Sequence, residues 1–193
     1  MKSKLWTAIG LTLVFVQVAS AHPGHNHDGF LHGLAHPLSG MDHLLAMLAV
    51  GMWAALLGGS AVWRLPVTFA CMMIVGGLAA RMQVALPAVE FIIAASVLVF
   101  GVALAVWIKP SAAAASVLVG AFAIFHGYAH VAELGQDQNA ARYALGFFVA
   151  MIALHAVGIS LGFTAKRAAR VDFARWSGAA IGAYGLGLYL GVL

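Results

Sequence analysis

The chain has 193 residues, 63% of them hydrophobic and only 8% charged, with a formal net charge of +4. Soluble domains carry about 25% charged residues, so this composition excludes an ordinary soluble protein and belongs to an integral membrane one. The few basic residues lie between apolar runs, where orientation signals belong, which argues against nucleic acid as a partner. Cys71 is the only cysteine, so an intrachain disulfide and a thiolate cage are both excluded. Its apolar setting, Ala70-Cys71-Met72-Met73, predicts a buried packing residue.

Lys2 and Lys4 precede an apolar stretch from Leu5 to Ala19, and Ala19-Ser20-Ala21 has the small-x-small form of a signal-peptidase site. The stretch has the length of a signal h-region and is short for a span, which predicts residues 1–21 as a cleavable signal peptide. An uncleaved signal anchor is the alternative, and both place residue 22 outside the cytoplasm. The segment 22–35 is then a periplasmic histidine-rich tail carrying His22, His25, His27 and His32. Such tracts bind metals, and a freed α-amine on His22 would chelate together with its imidazole. Pro23 has no amide proton, so coordination stops there instead of continuing along the backbone. The tail reads as a capture arm or as a merely flexible lead-in.

Residues 36–193 contain six apolar segments at about 36–58, 64–81, 86–107, 112–133, 142–163 and 175–193. Each is close to the roughly 20 residues a helix needs to cross hydrocarbon, and none shows the alternation of a membrane barrel. The expected fold is an all-α membrane protein, a compact bundle of six transmembrane helices. With residue 22 outside, six basic residues (Arg64, Lys109, Lys166, Arg167, Arg170, Arg175) fall inside, against Arg81 and Arg142 outside. That asymmetry fits the positive-inside rule for a bacterial inner-membrane protein with a periplasmic mature N-terminus. Gly178-x-x-x-Gly182, Gly187-x-x-x-Gly191 and Gly76-Gly77 are candidate helix seams. No phosphate-binding loop is present, so ATP is not this chain's direct energy source.

The chemistry sits where a bilayer tolerates little of it. The inward-running first helix places His36, Asp42 and His43 in its outer half. The outward-running fourth does the same for His126, His130 and Glu133, and Glu90 begins the third helix at similar depth. His126, His130 and Glu133 are spaced four and three apart, which stacks them on one helical face. His36 and His43 are seven apart and share a face, with Asp42 turned by about 100° from His43. Pro37 and Gly40 loosen the start of that helix. Asp42 is either a direct ligand or a carboxylate holding a neighbouring imidazole in its tautomer. His155 lies in the inner half of the fifth helix, and is either a second station or a neutral histidine bonded to a backbone carbonyl. Met41, Met47, Met52, Met72 and Met73 read as packing. Imidazole and carboxylate together suit a divalent transition metal. The expectation is that the first, third and fourth helices gather these donors around a single cation near the periplasmic surface.

These residues resemble the HupE/UreJ family of bacterial membrane proteins. The match rests on the histidine-rich start, on His36-Pro37…Gly40-Met41-Asp42-His43-Leu44-Leu45-Ala46-Met47, and on Phe125-His126-Gly127-Tyr128-Ala129-His130…Glu133. The resemblance implies uptake of nickel or cobalt for hydrogenase or urease, with His36, Asp42, His43, His126, His130 and Glu133 as the matching positions. Distantly similar nickel–cobalt permeases carry a His-x4-Asp-His element, whereas five residues separate His36 from Asp42 here.

The leading function is thus a non-enzymatic secondary permease for Ni2+ or Co2+, with Zn2+ admitted by the same ligand types, and with no prosthetic group. Its partners are the metal and the lipid bilayer; a homo-oligomer is compatible with the sequence. The alternative is an intramembrane zinc hydrolase using the same cluster, with Glu133 or Asp42 as base and Ser39 assisting. A serine protease lacks its nucleophile turn in this sequence. A covalent c-type haem lacks Cys-x-x-Cys-His, while a b-type haem on paired histidines is compatible.

Overall fold

The computed structural model describes residues 29–132, 140–167 and 171–193. The expected signal peptide, the histidines at 22, 25 and 27, and Glu133 lie outside the described residues. Within them the chain is all-helical: α1 Gly29–Ser39, α2 Met41–Leu57, α3 Ala61–Arg81, α4 Val89–Ala105, α5 Ala112–Ala132, α6 Ala140–Arg167 and α7 Val171–Tyr189. By length and composition α3, α5 and α6 are long and apolar enough to cross a membrane, and α1 with α2 makes a fourth if the bent pair is one span. α4 is apolar but shorter. The arrangement fits a multi-pass membrane protein.

The first apolar segment departs from the sequence expectation. Helix begins at Gly29, well before residue 36, and then breaks at Gly40, where α1 and α2 meet with a 79° bend. Gly40 takes extended backbone angles (φ −95°, ψ 111°), so the hydrogen-bond ladder is interrupted there. A methyl group on Gly40 would lie 2.9 Å from Asp42 Oδ1 and 3.3 Å from His43 Nδ1. The absent side chain therefore leaves space for the Asp42–His43 pair. His32, assigned by sequence to the tail, belongs to α1, one turn before His36.

The closest helix pairs are α3 with α5 and α4 with α7, while α6 packs along both α1 and α2. Glycine makes the first of these possible. A side chain on Gly76 would overlap the Ile124 carbonyl, and one on Gly127 would overlap Met73. Backbones that close gain dispersion contacts in a medium where burial from lipid itself contributes little. Gly178 and Gly182 form the expected seam, against Gly101 and Leu104 of α4. Gly187 and Gly191 do not, because Gly187 faces the C-terminal Leu193 and Gly191 lies beyond α7 with φ +67°.

Trp53, Phe69, Phe100, Met47 and Leu65 are among the largest fully buried side chains. Met47, Met52 and Met73 belong to this core, in agreement with a packing role. The outward faces present Trp63, Val67, Ile74, Leu78, Val117 and Ile152, an apolar exterior suited to hydrocarbon. Cys71 is on that exterior, not buried as its neighbours suggested.

Candidate functional site

Antiparallel crossing brings the start of α2, the end of α5 and the start of α6 to one end of the bundle. The other end carries basic residues: Lys166 Nζ donates to the Ala55 and Leu56 carbonyls at 3.3 and 3.4 Å, and Arg175 Nε to Ala105 O at 3.1 Å. Both cations meet helix C-termini, where exposed carbonyls favour positive charge.

At the first end the imidazoles form a file. His32 and His36 have ring centroids 6.1 Å apart, and His36 stands 4.9 Å from His130. His130 lies 4.2 Å from His43, which lies 4.7 Å from His126. Phe147 of α6 backs His130 at 4.3 Å, and Tyr143 lies 5.7 Å from His36. Beyond His126 the file meets Phe69, fully buried and 5.6 Å away, which in turn touches His155 at 5.2 Å. His155 is eight residues past Phe147, or about 12 Å further along α6 at 1.5 Å per residue.

Hydrogen bonds decide which nitrogen His43 and His155 can offer. Asp42 Oδ1 accepts from the backbone N–H of His43 and from its Nδ1, both at 2.8 Å. The first contact satisfies one of the N–H groups that a helix start leaves unpaired. The second puts the ring proton on Nδ1 and leaves Nε2 with a bare lone pair, the arrangement carboxylates impose on metal-ligating histidines. His155 Nδ1 donates to Met151 O at 3.0 Å, which likewise leaves Nε2 bare. Among the described residues His43 Nε2, His126 Nδ1, both nitrogens of His130 and His155 Nε2 are buried without hydrogen-bond partners. Buried polar atoms of this kind are rare and costly, so each is a position at which a partner from outside the protein, water or ion, can bind.

Among the described residues, which leave out Glu133, no three donors are set around a single ion. The rings touch in sequence. Glu90 is exposed in the first turn of α4 and does not join the file. Asp42 takes the tautomer-holding position. His155 has the carbonyl bond of a packing histidine at one nitrogen, with the other unpaired.

Three participants escaped the sequence reading. Phe69 and Phe147 look like any core aromatic in a run of apolar residues. Ser96 offered a signal, as the single hydroxyl inside α4, and its Oγ lies 2.9 Å from His126 Nε2.

The HupE / UreJ protein family model matches residues 10–188. This chain belongs to the HupE/UreJ family. It is 41% identical over 189 residues to Protein HupE of Rhizobium leguminosarum bv. viciae, covering 98% of each chain. No solved structure matches it. Both histidine motifs, on α1–α2 and on α5, lie within the matched residues, and these are the elements that meet.

Proposed function

We propose that the chain is a secondary permease that carries nickel or cobalt into the cell across the bacterial inner membrane. The observation that carries this reading is the file of His36, His130, His43 and His126, drawn from three helices with bare nitrogens buried along it. Strung donors suit transit better than storage, because an ion held by few ligands at each point can leave for the next. In this reading the six segments are all spans, with α1 and α2 sharing the first. The N-terminus is periplasmic after loss of a signal peptide, and His22, His25, His27 and His32 collect the ion. Glu133, three residues after His130 in the sequence, supplies an oxygen donor. His155 receives the ion on the cytoplasmic side of Phe69. The delivered metal supplies hydrogenase or urease maturation.

Energetics allow this without ATP. A divalent cation falling through 100 mV gains about 4.6 kcal/mol, enough for roughly three decades of accumulation. Nitrogen and oxygen donors bind nickel, cobalt and zinc alike, so choice among them comes from geometry. Tracer nickel uptake into sealed vesicles holding the purified chain, with an inside-negative potential imposed, tests the reading. Potential-dependent accumulation is the expected result; vesicles indistinguishable from protein-free ones would refute it.

A further inference from the structure

We infer that Ser96 is a positioning residue that selects the tautomer of His126, so that this ring offers Nδ1 to the cargo. Ser96 is fully buried on α4, and His126 is fully buried on α5. The Ser96 hydroxyl has one proton, and it donates that proton to the Ile93 carbonyl one turn earlier, at 2.7 Å. Towards His126 Nε2, 2.9 Å away, the oxygen can therefore only accept. Nε2 carries the ring proton, and Nδ1 keeps the lone pair.

The opposite tautomer is disfavoured for a separate reason. It would put an N–H on Nδ1, which is buried with no acceptor among the described residues. An unpaired buried donor costs about 1–3 kcal/mol, enough to bias a neutral imidazole strongly towards one form. Asp42 does the same for His43, with the opposite outcome: there Nδ1 is held and Nε2 is bare. Two adjoining rings, 4.7 Å apart, thus present different nitrogens, one set by a carboxylate and one by a hydroxyl. The hydroxyl adds no charge, so His126 remains a neutral donor deep in the bundle.

The inference rests on the permease reading for its transport consequence, and on the hydrogen-bond geometry alone for the tautomer. Nitrogen-15 NMR of histidine-labelled full-length chain in metal-free lipid nanodiscs, with His126 assigned by its loss in H126Q, reads the tautomer directly. The wild-type chain is expected to hold the proton on Nε2, and S96A to give a mixture of both forms. In vesicles, S96A should raise the KM for nickel uptake about tenfold, the lower end of the effect of groups that orient metal-ligating histidines. S96T, which keeps the hydroxyl, should recover both the spectrum and the KM. A wild-type His126 protonated on Nδ1 overturns the inference without needing any variant, and so does S96A with unchanged spectrum and KM. If wild-type vesicles accumulate no nickel, the permease reading and the transport consequence fall together, while the metal-free spectrum still judges the tautomer.

Discussion

The histidines on the two sides of Phe69 live in different surroundings. On one side, four imidazoles from α1, α2 and α5 touch one another in succession, and Asp42 and Ser96 each hold one ring nitrogen. On the other, His155 stands alone on α6, tied to the Met151 carbonyl of its own helix and facing an aromatic ring. An ion among the first group always has a next donor within reach. An ion at His155 has none of the same kind nearby among the described residues. On the proposed permease reading, the file passes a cation between neighbours and the inner histidine only receives it; the structure itself shows a contiguous group of rings on one side and a single ring on the other.

The sharpest test of that contrast removes rings from the file. His43→Ala and His130→Ala should each abolish nickel uptake while the chain stays in the membrane fraction, because His130 and His43 are the central link. Normal uptake in both would erase the distinction between the two regions. Asp42→Asn should come next, lowering uptake about 10- to 100-fold, since a neutral amide holds the His43 tautomer less firmly than a carboxylate does. Kinetic measurement on vesicles would separate it from wild type, and an unchanged rate would assign the Asp42 contact to helix capping alone.

Acid should act on metal capture. Protonated imidazole cannot ligate, so capture weakens as the pH falls. Uptake is therefore expected to be lower in mild acid than at neutral pH at constant membrane potential. A flat profile would rule out imidazole as the capturing group. The smallest effect belongs to His155→Ala, with a loss under tenfold, because this ring is an accessory stop. Loss as complete as in His43→Ala would make the inner site equal to the outer one.

Much of this was legible before any coordinates. The parity of crossings placed His36, His43, His126 and His130 at one end of the bundle, and the helical repeat put His126 and His130 on one face. What the linear pattern missed follows from contacts between helices. The run from residue 36 to 58 looks like one span, yet Gly40 breaks it to make room for the Asp42–His43 pair. Glu90 matched the others in depth but not in direction, since depth along an axis says nothing about rotation around it. Ser96 could be noticed as a lone hydroxyl, but its task depended on α4 lying beside α5.

Composition, charge asymmetry and motif spacing therefore determined that this is a helical membrane protein with nitrogen donors gathered near one surface, because hydrophobic length and the 3.6-residue repeat are local properties. Tertiary packing alone decided that the donors among the described residues line up as a file, with no three around one ion, and which nitrogens of His43 and His126 are held by hydrogen bonds. Those outcomes depend on the rotation and close approach of neighbouring helices, which glycines at the seams permit and buried hydrogen bonds then lock in place.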